Sequence, residues 1–358
     1  LFMENKRITI GHAGNTRFYL MRNAQLNLIT HDHTQAFQLV KDALIDDEVG
    51  VIQSLNEVAA IGHRVVQGGS IFSKSVLITD DVLKGIESLN PLAPLHNPAH
   101  VQGIRACQDV FGTEVPQVAV FDTAFHSTMP PKSYTFAIPY EYYEKYAVRR
   151  YGFHGTSHKY VSHRCAEIMG KPIDKLKLIT CHLGNGSSIT AVQDGHVLDT
   201  TMGLTPLDGF MMGTRSGTLD PSVVTFIMEK ENLTPKEMDN ILNKKSGLLG
   251  VSGVSSDARD VAQAVVEGNP RAVLAQEMLV YQIVKYIGAF AAAMNGVDAI
   301  VFTAGLGENH VIVRQRVCES LKYLGVTPDI NLNEKMTRGN EGKITTENST
   351  VDVYVIPT

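Results

Sequence analysis

KLITCHLGNGSSITAVQDGHVLDTT, residues 177–201, begins as a continuous apolar run and ends as an alternating one. The first part, KLITCHLG, is short, apolar and closed by glycine, the form of a buried strand whose C-terminal end carries a loop. The second part alternates on both sides of Asp194-Gly195, a pair that favours a type I′ turn, so it predicts an antiparallel hairpin. One stretch therefore asks for a mixed sheet, unlike a simple dinucleotide-binding fold. Three further runs share the form of the first: VAAIGHRVV (58–66), QVAVFD (117–122) and DAIVFTAG (298–305). In open α/β sheets ligands bind beside such strand ends.

Helical signals lie between the strands. LTPKEMDNILNKKSG (233–247) offers Thr234 as N-cap, Pro235 at the first helical position, Glu237 to complete a capping box and Gly247 as a C-cap. A long helix is predicted from Pro270, capped by Asn269, to about Asn295, with Gly296 after it. Its interior is apolar nearly all round, which predicts burial on all sides.

The chain has 358 residues, 44% hydrophobic and 19% charged, which suits a two-domain globular protein with a large core. With 32 basic and 37 acidic residues the formal charge is −5, which argues against a nucleic-acid surface but not against small anions held by a few arginines. No run is long enough to span a bilayer, and LFMENKRITI has no secretory pattern, so a soluble cytoplasmic protein without a membrane partner is expected. Cys107, Cys165, Cys181 and Cys318 are far apart in sequence, which excludes a CxxC motif and points to reduced thiols. The start at leucine and the stop after VDVYVIPT lead us to expect missing material at both ends.

There is no GxxxxGK[ST] and no GxGxxG after a first strand. Two other glycine segments follow strands: HLGNGSS (182–188) and TAGLGEN (303–309). Their glycines let backbone approach a phosphate or a flat base, or simply make a tight turn. Arg64 in GHRVVQGG and Arg215 in MMGTRSG stand among glycines, with donors that suit a carboxylate, a phosphoryl group or a structural ion pair. Asp122 ends an apolar strand, where a carboxylate can orient a nucleophile, hold water on Mg2+ or fix a loop. The thirteen histidines are scattered, without zinc-site spacing. In PLAPLHNPAH (91–100) three prolines fix where Leu95 points. YGFHGTSH (151–158) places Phe153 and His154 between two glycines.

Taken in order, HRVVQGG, PLAPLHNP, VFDTAFHSTMP, YGFHGTSHKYVS, CHLGNGSS, DTTMGLTPLDGFMMGTRSGTLDP, GVSSDARD and VFTAGLGEN closely resemble the acetate and propionate kinase family, from about residue 50 to residue 358. The resemblance implies the actin, Hsp70 and sugar-kinase superfamily: an α/β protein of two ribonuclease-H-like domains, each a mixed five-stranded sheet with flanking helices, and a cleft between them. It implies residues 1–123 as the N-terminal domain, lacking its first strand and phosphate loop, and 124–358 as the nucleotide-binding and dimerisation domain. The implied reaction is reversible transfer of the ATP γ-phosphoryl group to acetate, giving acetyl phosphate and ADP, with Mg2+ or Mn2+, in a homodimer.

By resemblance, Arg64 and Arg215 match the arginines that hold the carboxylate and the moving phosphoryl group. Asp122 matches an active-site aspartate expected to act near the metal or to orient the acetate, and His154 a histidine on the phosphoryl oxygens. Val66, Leu95, Phe153 and Pro206 match a methyl pocket. His182, Leu183, Gly184, Asn185 and Gly186 match a phosphate-side loop, and Asp257, Ala258, Arg259, Gly305, Leu306, Gly307 and Asn309 the nucleoside side. The chain departs from the family pattern at Gln67, where histidine is usual, at Ala258, and at the ends, where a phosphate loop and a metal-linked glutamate are expected. Lacking those ends, the chain is expected to be weakly active or inactive. Propionate kinase remains an alternative, as does a non-catalytic nucleotide-binding protein. A sugar kinase would need polar groups for hydroxyls, against the apolar Val66, Leu95, Phe153 and Pro206.

Overall fold

The four apolar runs are strands Ile61–Val65, Gln117–Phe121, Lys177–Leu183 and Ala299–Thr303. The computed structural model describes residues 33–358 except 49 and 95, and before them the backbone of the strands Phe2–Glu4, Arg7–Thr9, Tyr19–Arg22 and Gln25–Leu28. Leu95 thus lies outside the described residues. The chain forms two compact units, Leu1–Ala124 and Phe125–Thr358.

In the first unit, Ile61–Val65 and Gln117–Phe121 pair in parallel, Ile61 opposite Gln117 and Val65 opposite Phe121. Val76–Leu77 adds an antiparallel edge to Gln117–Phe121. Val65, Phe72, Ile86, Ile104 and Phe121 form the core, drawing on the helices Asp80–Ser88 and Asn97–Phe111. Phe72 stacks on Phe121 with ring centroids 4.5 Å apart. The parallel register brings Arg64 and Asp122 to one edge of the sheet, where the Asp122 N–H donates to the Val65 carbonyl at 3.0 Å.

The second unit has a mixed sheet in the order His196–Thr200, Ser187–Gln193, Lys177–Leu183, Ala299–Thr303, Asp352–Val355, Gly342–Lys343. Ala299–Thr303 runs parallel to both its neighbours and the other pairings are antiparallel. Five strands correspond to the expected sheet, and the two-residue Gly342–Lys343 is added at the edge. Asp194 and Gly195 both have positive φ, 53° and 79°, as the predicted type I′ turn requires.

Helix Pro235–Lys244 carries the expected capping box between Thr234 and Glu237. Gly247 does not cap it. The helix ends on Lys245, and Gly247 opens the next helix, Gly247–Ser252, at φ 61°, where a Cβ would run into the Met212 carbonyl. Helix Pro270–Ala293 is capped by Asn269 as predicted, and buries Ala272, Ala275, Leu279, Ile283, Ile287 and Phe290. The expectation of burial on every side is corrected here. One face is covered, by the sheet and by the neighbouring helices, and Leu274 and Tyr281 on the other side are 49% and 69% exposed. Among the described residues no helix is long and apolar enough to cross a membrane.

Candidate functional site

In the first unit Asp122, 2% exposed, takes two hydrogen bonds from one guanidinium: Arg64 Nε to Oδ1 at 2.8 Å and Nη2 to Oδ2 at 2.6 Å. Burial opposes the charge on Arg64, but the hydrogen bond and the charge of Asp122 outweigh it and raise its pKa above the ordinary value. The Arg64 side chain is still 44% exposed, so its remaining N–H groups can reach a ligand. Val66 is buried beside it, its N–H directed at His100 Nδ1. Gln67 is fully buried: its backbone is clasped by the Asn97 amide, and its Oε1 accepts from the Gly69 N–H.

In the second unit the chain turns between Lys177–Leu183 and Ser187–Gln193 through Gly184, Asn185 and Gly186. His182 and Leu183 close the first strand. The turn is pinned by the Gly184 N–H to the Gly186 carbonyl at 3.2 Å and by Ser187 Oγ to the Gly184 carbonyl at 2.9 Å. The loop carrying Arg215 lies on this turn. Gly213 donates to the Asn185 carbonyl at 3.1 Å, and a Cβ on Gly213 would collide with Asn185 Oδ1 and the Ser256 carbonyl. Gly213 therefore lets residues 185, 213 and 256 share one place.

His154 caps helix Gly155–Met169 in the left-handed region, φ 58° and ψ 26°, a strained conformation for a side chain with a Cβ. Gly152 before Phe153 also has positive φ, 73°, and packs against His126 and Thr200. Phe153 is 1% exposed, and Pro206 is half-buried in the 203–217 loop, where its carbonyl accepts from Arg215 Nη1 at 3.3 Å. The His154 ring stacks on His182, centroids 4.1 Å apart and planes 24° from parallel. His182 Nδ1 is held by Ser157 Oγ at 2.8 Å. A Cβ built on Gly186 would stand 3.0 Å from Arg215 Nη1 and 3.7 Å from His154 Nε2. Two side-chain nitrogens, one of them from a guanidinium, thus converge over a bare Cα at the end of a strand, an arrangement that suits an anionic oxygen.

The residues assigned to the nucleoside side divide into two groups. Asp257 caps helix Ala258–Val266 and pairs with Arg259, whose hydrogen bonds hold the Asp257 carboxyl at about 2. Gly305, Leu306, Gly307 and Asn309 do not form an open glycine loop: they make the helix Ala304–Asn309, entered through Ala304 at φ 64°. Gly307 packs against Leu183 and the Cys181 carbonyl, so the two glycine segments are neighbours. Asp122 is the single residue proposed as a metal ligand, and both its oxygens hold Arg64. Among the described residues no group of three His, Cys, Asp or Glu side chains could hold a metal.

The sequence reading missed three contributors. Ser188 and His158 lie directly behind His154. His158 follows His154 by four residues and so shares its helix face, a signal present in YGFHGTSH. Arg314, fully buried, faces no carboxylate among the described residues. It donates to the Gly307, Asn333 and Met336 carbonyls and to Asn333 Oδ1, and burial lowers its pKa to about 10. Nothing in its sequence neighbourhood marks it.

The model of the acetokinase family matches residues 4–358. A curated acetate kinase of Halothermothrix orenii is 56% identical over 327 residues, 91% of this chain and 81% of the relative. The crystal structure of Porphyromonas gingivalis acetate kinase aligns with a TM-score of 0.89 at 49% identity, covering 94% of this chain and 85% of that one. A propionate kinase from Francisella tularensis aligns with a TM-score of 0.87 at 42% identity, covering 98% and 95%.

Proposed function

Because the chain belongs to the acetokinase family, we propose that it transfers the γ-phosphoryl group of ATP to acetate, giving acetyl phosphate and ADP, and that the reaction runs in both directions. A carboxylate oxygen of acetate attacks the γ-phosphorus. The bond from phosphorus to the β,γ-bridging oxygen breaks, and ADP leaves with that electron pair. No proton need move, so the protein's work is positioning and charge stabilisation. The observation that carries this reading is the convergence of His154 Nε2 and Arg215 Nη1 over Gly186.

In this reading Arg64, aimed by Asp122, holds the acetate carboxylate. Val66 and Leu95 of the first unit, and Phe153 and Pro206 of the second, are the residues that the family resemblance assigns to the methyl group. Arg215 and His154 bind the moving phosphoryl oxygens, the 182–186 turn the neighbouring phosphates, and Asp257, Ala258, Arg259, Gly305, Leu306, Gly307 and Asn309 the nucleoside. The described residues do not make a metal centre alone, so no step here runs through Mg2+ or Mn2+. The homodimer assigned by resemblance is supported by the exposed Leu274 and Tyr281 on helix Pro270–Ala293. A cytoplasmic setting is supported by the four buried free cysteines.

The test is ADP release with ATP and acetate, propionate or no acid, trapping acyl phosphate as the hydroxamate. Acid-dependent hydroxamate is expected, and ATP binding without it sinks the reading. One methylene is worth about 1–3 kcal/mol in an apolar pocket, so propionate is expected as a poorer second substrate. The acetate kinase relatives at 54–58% identity, against 42% for the propionate kinase structure, support acetate as the first.

A further inference from the structure

Arg150 directly precedes the Tyr151–His154 turn and has no part in the reaction as described. Its backbone N–H donates to the Tyr134 carbonyl at 2.8 Å, and its guanidinium carbon lies 5.7 Å from the centre of the Phe136 ring. From there the side chain, 21% exposed, reaches a distant part of the chain. Nη1 donates to the Thr200 and Thr201 carbonyls, both at 2.9 Å, with the Met202 carbonyl at 3.4 Å. Asp208 Oδ2 stands 3.3 Å from Nη1, and Asp199 Oδ1 stands 3.8 Å from Nε. The direction of each hydrogen bond is fixed, because a guanidinium only donates and a carbonyl only accepts.

The strand His196–Thr200 is the last in the order of its sheet. Thr200, Thr201 and Met202 are all buried where the chain leaves it, so their carbonyls need donors from elsewhere. The loop that follows closes on itself. A Cβ built on Gly203 would stand 2.5 Å from Asp208 Oδ2, so residues 203 and 208 meet at its base, with Pro206 between them in sequence. The Gly203 carbonyl accepts from the Tyr151 N–H at 2.9 Å. Asp208 is held from its other side, where Oδ1 accepts from the Gly209 N–H at 2.9 Å and from the Thr218 hydroxyl at 2.6 Å. One guanidinium therefore joins the approach to the loop, through the carbonyls, to its end, through Asp208.

We propose that Arg150 is a positioning residue for the acid substrate: by clamping both ends of the 203–208 loop to the 150–154 turn, it fixes Pro206 relative to Phe153 and so sets how long an acid the protein accepts. This deepens the assignment of Phe153 and Pro206 to the methyl group and rests on it. Loss of the fork leaves buried carbonyls short of a donor and two carboxylates without their cation. The loop then loses its single arrangement, and a pocket wall that gives way discriminates less between acids one methylene apart.

The test compares the native protein with Arg150→Lys and Asp208→Asn. Lysine keeps the charge and loses the fork. Asparagine keeps an oxygen for Gly209 and Thr218 and removes the charge that faces Arg150. Backbone hydrogen exchange on peptides spanning residues 200–209 is read without turnover. It should quicken about tenfold or more in both variants, while exchange in Ala299–Thr303 stays native. In the hydroxamate assay KM for acetate should rise about tenfold and KM for ATP about twofold at most. The preference for acetate over propionate in kcat/KM should shrink about threefold or more. A protein that is merely destabilised loses active molecules, which lowers kcat and leaves both KM values and the acid preference native. That result overturns the proposal, and so does native exchange at 200–209 in both variants. Absence of acyl phosphate formation by the native protein would strike the functional reading, while the exchange measurement would still decide whether Arg150 clamps the loop.

Discussion

Asp122 grips Arg64 by two nitrogens, Nε at 2.8 Å and Nη2 at 2.6 Å, from a position that is 2% exposed. The carboxylate is buried and its partner is 44% exposed on its side chain, so the pair aims a guanidinium more than it holds the fold together. Arg64→Ala should leave Asp122 desolvated without its cation. The expected cost is about 1–2 kcal/mol, below the roughly 3–5 kcal/mol of a fully buried pair because water reaches the guanidinium side. Activity should fall about a hundredfold or more, the usual consequence of losing one preorganised charge donor. Denaturation midpoints and acetate-dependent hydroxamate formation check both. A variant with normal stability and normal KM for acetate would remove Arg64 from the site.

Gly186→Ala probes the phosphoryl side without disturbing the backbone, since Gly186 does not have positive φ. Its new methyl would stand 3.0 Å from Arg215 Nη1 and 3.7 Å from His154 Nε2. The fold should survive, because the collision is with the end of a flexible side chain. The space above Gly186 should not survive as an anion site. A drop of about tenfold or more in kcat/KM for ATP is expected, with a circular dichroism spectrum like that of the native protein. Unchanged kinetics would mean that no phosphoryl oxygen occupies this point.

Both variants depend on features the sequence discloses unevenly. The strands that carry Arg64, Asp122 and His182 were legible because buried parallel strands read as apolar runs ending in glycine or a polar residue. The hairpin at Asp194-Gly195 was legible because positive φ at two positions leaves few choices of residue. Gly247 was misread because a glycine after a helical pattern can cap one helix or open the next, and the carbonyl of Met212 that decides between them is distant in sequence. TAGLGEN was read as a ligand-approach segment or a tight turn because glycine weakens helices on average, yet residues 304–309 form a short helix whose Gly307 lies against Leu183. The Ser188–His158 chain escaped notice because a hydroxyl carries no periodicity. Its meaning comes from strand register, which places Ser188 opposite His182. Arg314 was invisible for the opposite reason: charged residues are rarely buried, and its partners are mostly backbone carbonyls.

Gly152→Ala should act first as a folding lesion. Gly152 has φ 73°, and a Cβ there would stand 2.6 Å from Thr200 Cγ2 and 2.7 Å from His126 Cγ. The left-handed conformation costs about 1 kcal/mol and overpacking a filled core about 1–3 kcal/mol. A loss of about 2–4 kcal/mol is expected, read as a fall in the thermal midpoint. Phe153 and His154 follow directly, so whatever protein folds should also have a raised KM for acetate. A native-like midpoint would show that the 151–155 turn has slack the structure does not suggest.

The fold should weaken as pH falls below about 6.5. His158 is fully buried with its pKa well below the usual value, chiefly through burial, and His63 and His310 are lowered for the same first reason. A group whose native pKa is depressed binds its proton more readily in the unfolded chain. The unfolded state therefore gains protons first as pH drops through the ordinary histidine range, and stability is lost from there downward. Each such histidine contributes a slope of at most about 1.4 kcal/mol per pH unit, fully present above about pH 6.5 and eroded below it. His158→Gln keeps a hydrogen-bonding side chain between Thr180 and Ser188 and removes one titration. It should lower stability at pH 8, where the better-fitting ring is lost, and flatten the decline between pH 6.5 and 5. Thermal midpoints of both proteins across that range decide it. Parallel curves would mean that His158 titrates in the native state much as it does in the unfolded chain, contrary to its burial.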